Sequence, residues 1–285
     1  MFDLIVANYN NEKYLKAFFE SIERSTILPH QVIFIDDCST DDSLDIVRTF
    51  EEKGNIIIRC IQNPKNLGFA KSLNIALECI KSPYFARLDP DDYVRPERFE
   101  IQLNYLKTNI HLDMIGSNII YVLNGKDRSM SNVDTDVNSI KKKITCGYLP
   151  LIHGSIMGKS IILDGFKYKP NLVPAEDYDL FAYLIKNNFS ISNINAALTY
   201  VNIHENSVSN DLKFSTINKR FDTCYEYFKV SKSLPLRYFE YKHQYYYRKY
   251  LFINSPVRYL NLFIASMFNP VKLGNKLIKL TKLKQ

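Results

Sequence analysis

Three aspartates crowd into four positions of this sequence, directly after a short apolar run. The run reads PYFARL, and Asp89, Asp91 and Asp92 follow it. Each carboxylate raises the pKa of the next one unless a positive charge lies between them. A surface turn, a helix N-terminus or a divalent metal ion would each relieve that repulsion. Side chains at i and i+2 of an extended segment point the same way, so Asp89 and Asp91 are the candidate pair for one bound cation.

A second group of acids occurs in the stretch AEDYDLFAYLI, which has the apolar spacing of a helix. Glu176 and Asp177 fall in its predicted first turn, where the helix dipole favours the ionised form of a carboxyl group. An ionised carboxylate on a rigid element can serve as a general base that takes a proton from a hydroxyl group. Acids in a first helical turn also occur for stability alone, so the residues by themselves leave both interpretations open.

The elements that must position these acids alternate between strand and helix over the first hundred residues. Four apolar runs, separated by segments with helical spacing, read FDLIVA, QVIFID, NIIIRCI and PYFARL. This alternation predicts an α/β fold with a mostly parallel sheet flanked by helices. Ligands of such sheets bind beyond the carboxyl ends of the strands. Polar residues follow three predicted strands, at Asn8–Asn11, Asp36–Asp37 and Asp89–Asp92, so we expect them to share one crevice.

The sequence lacks the glycine patterns that hold phosphates in other α/β folds. No GxGxxG follows the first strand and no GxxxxGK[ST] occurs, which argues against a dinucleotide fold of the usual kind and against a P-loop enzyme. A phosphate ligand would then need another positive partner. Mg²⁺ and Mn²⁺ prefer oxygen ligands and are commonly bound by one or two carboxylates together with substrate phosphate. We therefore expect Mg²⁺ or Mn²⁺ as the cofactor.

Positive charge is concentrated near the end of the 285 residues. The net charge is +7, and twelve of the 37 Lys and Arg residues but one of the 30 acids lie in residues 229–285. Residues 211–285, called the tail below, read as helices broken at Pro235, Pro256 and Pro270. The stretch VKLGNKLIKLTKLK places leucines on one helical face and lysines on another, which predicts a helix on an anionic membrane surface. A basic helix packed on the body is the alternative, and without a binding motif nucleic acid is not an expected partner.

The remaining composition predicts a cytosolic protein. Five scattered cysteines without a CxxC indicate reduced thiols and not a disulfide framework or a zinc site. The opening residues MFDLIVANYN lack the basic and apolar regions of a signal peptide. No apolar run approaches the roughly 18 residues that cross a bilayer. We expect a cytoplasmic location, with peripheral attachment to the inner face of the plasma membrane as an option through the tail.

Six blocks of the chain occur in an ordered, spaced series. They read LIVANYNNEKYLKAFFESI, VIFIDDCSTDDSLDIV, NPKNLGFAKSLNIAL, PYFARLDPDDYVRPERFEIQ, HGSIMGKSIILDGFKY with AEDYDLFAYLI, and VNIHENSVS. Over roughly residues 2–205 this series resembles the motifs of the family 2 glycosyltransferases, enzymes of the GT-A fold that use nucleotide sugars. The resemblance implies a GT-A catalytic domain over 1–210, with a nucleotide-sugar half of about 1–110 and an acceptor half of about 111–210. The tail at 211–285 would form a helical extension.

The resemblance implies roles for residues on the donor side. Asp91 would bind the metal ion directly, and Asp89 would help to hold the metal or the ribose. The residues implied to contact the nucleotide are Ala7, Tyr9, Asp37, Lys71, Arg87 and Asp89. Asp37 would face the base, and because a carboxylate accepts hydrogen bonds but cannot donate them, it suits the N–H of uracil. Surface solvation or simple packing stays open as the alternative for Lys71 and for Arg87.

The resemblance also implies which acid is the catalytic base. It singles out Asp177, the second acid of the pair that begins with Glu176. One base opposite the leaving group implies in-line displacement with inversion at the anomeric carbon and needs no covalent intermediate. His204 would reach the metal or the diphosphate, or would be a hydrogen-bonded structural histidine. The sequence departs from the family pattern at Asn202, where the motif has arginine, and at Leu73, where many relatives carry arginine.

The resemblance therefore implies an inverting, metal-dependent glycosyltransferase. It would move a sugar from a nucleotide donor, expected to be a UDP-sugar, to a glycan or lipid-linked acceptor in surface polysaccharide biosynthesis. Two alternatives stay open from the sequence. A sugar-nucleotide pyrophosphorylase shares the doubly wound fold, although NYNNEKY lacks the glycine-rich and basic phosphate loop which that class needs. A non-catalytic nucleotide-sugar binding protein would use the same scaffold.

Overall fold

The structure, a computed structural model, describes residues 1–204, 212–253 and 255–268. Within these residues the strands are β1 (Phe2–Asn8), β2 (Gln31–Asp36), β3 (Ile58–Gln62), β4 (Tyr84–Arg87), β5 (Tyr93–Val94), β6 (Met114–Leu123), β7 (Lys126–Met130), β8 (Met157–Lys159) and β9 (Ile191–Ile203). The α-helices are α1 (Glu12–Glu23), α2 (Ser43–Lys53), α3 (Phe69–Glu78), α4 (Arg98–Thr108), α5 (Val137–Thr145), α6 (Glu176–Lys186), α7 (Phe214–Phe228), α8 (Leu234–Phe252) and α9 (Arg258–Met267). Short 3₁₀ turns lie at His153–Ser155, Ser160–Leu163 and Pro170–Leu172.

The described strands form one mixed sheet in the order β3-β2-β1-β4-β8-β6-β9-β5, with β7 paired to β6. Strands β1 to β4 run parallel to one another, and β6 runs parallel to β9. Strand β8 lies between β4 and β6 and is antiparallel to both, while β5 and β7 are antiparallel to their neighbours. The predicted fold class, a mostly parallel α/β sheet flanked by helices with helices at its C-terminal end, is confirmed.

The apolar runs form central strands because both of their faces are buried. In β1, Leu4 and Val6 face the side chains of α1, α2 and α4, whereas Ile5 and Ala7 face those of α3 and α6. Every residue of β1 and of β2 is buried. Continuous apolar runs are typical of parallel strands covered on both sides, where alternation between polar and apolar residues is lost. Because both faces are buried, each strand has one fixed register in the sheet. The polar residues after β1, β2 and β4 therefore lie together at the carboxyl edge of the sheet.

A hairpin lies in a stretch whose polar composition indicates a turn region. In this stretch, LNGKDRSMSN, Leu123 pairs with Lys126 and β7 follows. The two intervening residues, Asn124 and Gly125, have φ values of 51° and 72°. A two-residue turn with positive φ at both positions matches the twist of the flanking strands, and Asn-Gly is its preferred sequence. The polar composition of the stretch hid a short edge strand.

The described part of the tail packs on the body. The ring of Phe221 lies where a side chain on Gly147 would be, 2.4 Å from an ideal Cβ, and Gly147 has a φ of 82°. The guanidinium Nε of Arg128 donates to the carbonyl of Leu251 at 3.0 Å, which ties the end of α8 to β7. Pro235 lies in the first turn of α8. No helix in the described part of the chain is long and apolar enough to cross a membrane.

Of two further predictions for the tail, one concerns a described residue and the other lies outside the described residues. Pro256 falls between α8 and α9, as predicted. Pro270 and the Leu and Lys pattern of VKLGNKLIKLTKLK lie outside the described residues.

Candidate active site

A cleft of about 900 Å³ opens at the carboxyl ends of the parallel strands. Segments that follow β1, β2, β4 and β9 line it together with the start of α6. The predicted site residues that line it are Ala7, Tyr9, Asp37, Arg87, Asp89, Asp91, Glu176, Asp177 and His204. Lys71 is not among the lining residues and lies exposed on α3. The crevice expected from strand order is therefore present, and it gathers every predicted site residue except Lys71.

Buried hydrogen bonds fix the loops after β1 and β2. The Asn8 side chain donates to Asp36 Oδ1 at 3.0 Å and to Ser39 Oγ at 3.1 Å. The backbone amide of Ser39 donates to Asp36 Oδ2 at 2.9 Å. Since both oxygens of Asp36 are used in this way, that carboxylate holds the loops together and the next residue is the one that faces the cleft.

Asp37 holds the loop that precedes α3. Its Oδ1 accepts hydrogen bonds from the Leu67 amide at 2.7 Å and from the Asn63 side chain at 2.8 Å. Its Oδ2 accepts one from the Gly68 amide at 2.8 Å, and Gly68 has a φ of 89° that favours glycine. A carboxylate has about four acceptor positions. Three of them are used here, which leaves about one for a donor on a bound ligand.

Arg87 and Asp89 form a forked ion pair at the end of β4. Arg87 Nη1 donates to Asp89 Oδ2 at 2.8 Å, and Nη2 contacts the other carboxylate oxygen. Burial raises the pKa of Asp89, and the guanidinium of Arg87 opposes that rise. Gly154 lies against the pair, because an ideal Cβ there would be 3.1 Å from Asp89 Oδ2. The fork fixes both groups in orientation, as paired planar charges do.

Asp91 meets His204 although 113 positions separate them in the sequence. His204 Nε2 lies 2.9 Å from Asp91 Oδ2, and the ring of Tyr14 stacks on the histidine with a centroid distance of 4.8 Å. The Asn202 side chain donates to the Asp91 carbonyl at 2.6 Å, which links the end of β9 to the loop after β4. Asn202, which replaces the motif's arginine, therefore positions this loop.

The arrangement fits a metal ion that is bound by few protein ligands and by the phosphate of a substrate. Among the described residues, no three His, Cys, Asp or Glu side chains are grouped closely enough to enclose an ion. Asp91 and His204 supply one oxygen and one nitrogen donor, and both side chains are about one-fifth exposed toward the cleft. Mg²⁺ and Mn²⁺ commonly use few protein ligands and complete their coordination with water and phosphate. Asp89 is held by Arg87 beside this pair.

Asp92 is more deeply buried than Asp89 and Asp91. It is 3% exposed, and its Oδ1 accepts the backbone amide of Asn202 at 3.0 Å. Burial, followed by the charges of Asp91 and Asp89, raises its pKa well above the ordinary value. The nearby like charges therefore disfavour the ionised form of Asp92.

Arg98 supplies a buried positive charge beneath this cluster. It is fully buried at the start of α4, donates to the Arg87 carbonyl at 2.8 Å and contacts Gln102 at 3.1 Å. Burial lowers the pKa of Arg98 to about 9, and the negative charge of Asp92 opposes that change. Arg87 and Arg98 thus offset part of the repulsion within the aspartate cluster.

The acids at the start of α6 also line the cleft. Glu176 is buried, and its Oε2 has no hydrogen-bond partner among the described residues. Burial, then the charge of Asp177, raises the pKa of Glu176 to about 7. Burial also raises the pKa of Asp177, and the Tyr178 amide (2.6 Å) and the guanidinium groups of Arg220 and Arg87 oppose that rise.

The tail contributes to the same wall. Leu212, Thr216 on α7 and Arg248 on α8 all line the cleft with Asp177. Burial lowers the pKa of Arg248, and the nearby charge of Asp177 opposes this effect. Residues from beyond position 210 are therefore part of the site.

A sequence profile described as "Glycosyl transferase family 2" matches residues 3–158, which is more than half of the chain. The chain belongs to glycosyl transferase family 2. The matched part of this family 2 chain contains the aspartate cluster, Asp37 and Arg87. His204, the acids of α6 and the tail lie beyond it.

Curated relatives are glycosyltransferases of bacteria and archaea. The chain is 30% identical over 250 residues to an uncharacterized glycosyltransferase of Haemophilus influenzae, a match that covers 84% of this chain and 93% of the relative. It is 29% identical to the UDP-Glc:alpha-D-GlcNAc-diphosphoundecaprenol beta-1,3-glucosyltransferase WfaP of Escherichia coli, covering 72% and 78%. A 31% identical glycosyltransferase of Methanocaldococcus jannaschii matches over 65% of each chain, so the match spans slightly less than two thirds of that relative.

Solved structures of similar shape share the fold. Staphylococcus aureus TarS 1-349 in complex with UDP-GlcNAc superposes with a TM-score of 0.62 at 19% identity, covering 94% of this chain and 88% of TarS. The mannosyltransferase PcManGT from Pyrobaculum calidifontis in complex with GDP-Man and Mn²⁺ gives 0.61 at 14% identity, covering 94% and 73%. The GT-A fold that the sequence motifs implied is confirmed by this likeness.

Sequence reasoning missed two arginines of the site. Arg98 stands in the block PYFARLDPDDYVRPERFEIQ, and its place beside Phe99, which shares a buried helix face with Leu103, was a usable signal of burial. Arg248 gave no local signal, because its place depends on how α8 packs on the rest of the family 2 domain. The predicted metal residues Asp91 and His204 are brought together, and their role as ligands stays a prediction.

Proposed function

We propose that this chain is an inverting glycosyltransferase that moves a sugar from a nucleotide donor to a hydroxyl group of a glycan or lipid-linked acceptor. The observation that carries the proposal is one cleft that is lined both by the Asp91–His204 pair and by Asp177. A donor diphosphate and an acceptor hydroxyl need these two kinds of group on either side of the transferred sugar. The relative WfaP, named as a UDP-Glc-dependent beta-1,3-glucosyltransferase, supports the same reaction class, and the UDP-GlcNAc complex of TarS supports a UDP-sugar as donor.

On the donor side, the strand ends bind and orient the nucleotide. Asp37 offers its remaining acceptor position to an N–H of the base, and Ala7 and Tyr9 line the base pocket. Asp91 and His204 are the residues that would hold Mg²⁺ or Mn²⁺. When bound, such an ion supplies positive charge that offsets the charge developing on the leaving diphosphate.

On the acceptor side, Asp177 takes the proton from the attacking hydroxyl oxygen. Burial raises its pKa and so makes it a stronger base than a solvated carboxylate. The guanidinium of Arg220 opposes that rise and keeps the group ionised. The oxygen then attacks the anomeric carbon opposite the diphosphate, and one displacement inverts the configuration there.

Substitution of the base tests the proposal. The Asp177→Asn variant is expected to bind UDP like the unaltered protein in calorimetry. It is expected to transfer sugar at least ~100-fold more slowly in a screen of nucleotide sugars, since a positioned base contributes about that much or more. Asp45→Asn, an exposed acid that pairs with Arg48 on α2, is the matched control. Normal turnover by Asp177→Asn would remove it as the base.

Substitution of the cation pair tests the donor side. UDP binding is expected to require Mn²⁺ or Mg²⁺ in the unaltered protein. Asp91→Asn and His204→Ala are each expected to weaken the metal-dependent binding roughly tenfold or more, as loss of one ligand does. Equal UDP affinity with and without a divalent ion would contradict this part of the proposal.

We also propose that the protein works in the cytoplasm at an anionic membrane surface. On α9, Leu260, Phe263 and Met267 are exposed at helical spacing, and Phe239 on α8 contacts Phe268 at a centroid distance of 5.9 Å. Residues 229–285 contain twelve lysines and arginines, and their one acid, Glu240, is buried. An apolar helix face with a basic surround suits adsorption to anionic lipid.

Vesicle flotation tests this surface. The unaltered protein is expected to float with phosphatidylglycerol vesicles and not with neutral phosphatidylcholine vesicles. A Leu260→Asp/Phe263→Asp double variant is expected to lose flotation. Ile110→Asp, which changes an exposed apolar residue far from the tail, is the control. Undiminished flotation of the double variant would refute this membrane surface.

A further inference from the structure

His153 lines the cleft with an imidazole ring that is held in one orientation. It begins the 3₁₀ turn His153–Ser155 and is 8% exposed. Its Nε2 lies 2.8 Å from the hydroxyl oxygen of Tyr168. The backbone of Tyr168 is fixed in turn by the side chain of Asn74 on α3, which accepts from the Tyr168 amide at 2.8 Å and donates to its carbonyl at 2.9 Å.

The other ring nitrogen of His153, Nδ1, is available to a ligand. Among the described residues it has no hydrogen-bond partner, whereas Nε2 has one. Nor is it one of the unpartnered polar atoms that the described residues shield from solvent, so a molecule in the cleft can reach it. A histidine that serves packing alone has its buried nitrogens paired, because an unpaired polar atom away from water costs free energy. The half-used ring therefore indicates a ligand contact.

His153 adjoins both groups of residues that the proposed reaction uses. The next residue, Gly154, packs on the aspartates after β4, since an ideal Cβ there would be 3.1 Å from Asp89 Oδ2. The imidazole ring itself meets the ring of Phe181 at a centroid distance of 6.3 Å, one turn of α6 beyond Asp177. The transferred sugar must reach from the leaving diphosphate to the attacking hydroxyl. A cleft residue that adjoins both groups therefore adjoins the sugar.

The surroundings keep the imidazole uncharged. Burial, followed by the charge of Arg87, lowers the pKa of His153 well below its ordinary value. A hydroxyl group both donates and accepts hydrogen bonds, so it pairs with Nδ1 whichever ring nitrogen carries the proton. A phosphate or carboxylate oxygen only accepts, and a neutral ring offers it no attraction of opposite charge. The hydroxyl groups of a sugar are therefore the chemistry that suits this nitrogen.

We infer that Nδ1 of His153 binds a hydroxyl group of the transferred sugar, and that this contact helps to select the donor sugar. Tyr168 is the positioning residue that holds the ring for it. The inference rests on the proposed function, because it takes Asp91 as the diphosphate end of the site and Asp177 as the base. It adds a residue that recognises the sugar itself to those proposed for the nucleotide, the metal and the base.

Two substitutions separate the two ring nitrogens. In His153→Asn, the short side-chain amide takes the place of Nδ1 and no atom reaches Tyr168. In His153→Gln, the longer amide takes the place of Nε2 and reaches Tyr168, and no polar atom remains at the position of Nδ1. The first variant keeps the proposed sugar contact, and the second keeps only the internal hydrogen bond.

Calorimetric titrations with Mg²⁺ present measure the effect. The ligands are UDP, UDP-glucose, UDP-galactose, UDP-N-acetylglucosamine and UDP-N-acetylgalactosamine. His153→Gln is expected to weaken the binding of at least one of these UDP-sugars, relative to UDP, by roughly 5- to 100-fold, the usual loss when a buried polar group is left without its partner. His153→Asn is expected to bind the same UDP-sugar much more tightly than His153→Gln does.

An exposed histidine provides the control. His111 lies between α4 and β6 and does not line the cleft. His111→Gln is expected to bind every ligand of the panel like the unaltered protein. The affinity for UDP alone should be the same in all four proteins, which shows that the variants fold and keep the nucleotide end of the site.

The outcomes separate this inference from the proposed function. If His153→Gln changes no UDP-sugar of the panel relative to UDP, the inference is overturned while UDP binding still supports a nucleotide-sugar enzyme. Equal losses in His153→Asn and His153→Gln would overturn it as well, because packing of the ring and not Nδ1 would then be responsible. Absence of UDP binding by the unaltered protein would overturn the proposed function and the inference with it.

Discussion

Replacing Glu176 by glutamine should make the stability of the protein depend differently on pH. Glu176 is buried at the start of α6, and burial together with Asp177 raises its pKa from the ordinary 4.5 to about 7. The native state therefore keeps a proton that the unfolded chain has released. The favourable contribution of the protonated carboxyl is complete below about pH 4.5 and is lost as the pH rises through about 7.

The size of the effect follows from that difference in pKa. Each pKa unit corresponds to about 1.4 kcal/mol, so the ionised form costs the native state about 3 kcal/mol at high pH. About 2–3 kcal/mol of this appears between pH 5 and pH 8. Glu176→Gln removes the titrating group and keeps the side-chain shape. The free energy of unfolding of the variant, relative to the unaltered protein, should therefore rise by about 2–3 kcal/mol from pH 5 to pH 8.

Urea unfolding at the two pH values measures this difference directly. Comparing the two proteins at each pH cancels all other titrating groups, and a constant offset from the new amide does not enter the comparison. Glu78→Gln, an exposed glutamate beside Lys167, should show no such pH dependence. If the variant and the unaltered protein differ by the same amount at pH 5 and pH 8, the carboxyl of Glu176 titrates normally and the account of this wall of the cleft is wrong.

Three further predictions concern packing around the site. Gly154→Ala brings a Cβ within 3.1 Å of Asp89 Oδ2, so the free energy of unfolding should fall by about 1–2 kcal/mol in urea, and an unchanged midpoint would refute the close approach. Asp37→Asn leaves a single oxygen for the amides of Leu67 and Gly68, and loss of one bond to a charged group should cost about 1.5–3 kcal/mol and speed hydrogen exchange at these two amides. Residues 1–210 alone should aggregate, because removal of Phe221 uncovers the apolar body, and a monodisperse, UDP-binding fragment would contradict this.

The part of the cleft formed by the segments after β1, β2 and β4 could be predicted because the sequence patterns that indicate it are local. Each polar cluster directly follows an apolar run, and parallel strands bring their carboxyl ends to one edge whatever their exact order. This places Asp37 and the aspartates after β4 in one cleft without any knowledge of side-chain contacts. The pairing of Asp91 with His204 needed the motif series as well, since the two residues lie 113 positions apart.

The other parts depend on contacts that periodicity does not record. Strand β8 has three residues and lies between β4 and β6, where it is antiparallel to both. Its apolar pattern is too short to reveal a direction. The tail was predicted as helices, but the place of Arg248 at the cleft follows from how α7 packs on α5 and α6 and how α8 packs on α7. Such packing depends on the whole chain, and no pattern within a short stretch of the sequence indicates it.

Both walls of the cleft solve the same electrostatic problem in the same way. The acids predicted for the site are close together in the sequence, as Asp89–Asp92 and as Glu176–Asp177, and their clustering alone would drive their pKa values up. Part of the opposing positive charge comes from other elements: Arg98 at the start of α4 acts on Asp89 together with the adjacent Arg87, and Arg220 from α7 acts on Asp177. The clustered acids and Arg87 are visible in the sequence, whereas Arg98 and Arg220 become recognisable as their partners only in the fold. The charge that a substrate meets is therefore set jointly, and a substitution of either arginine should alter the ionisation of its wall without touching the acids themselves.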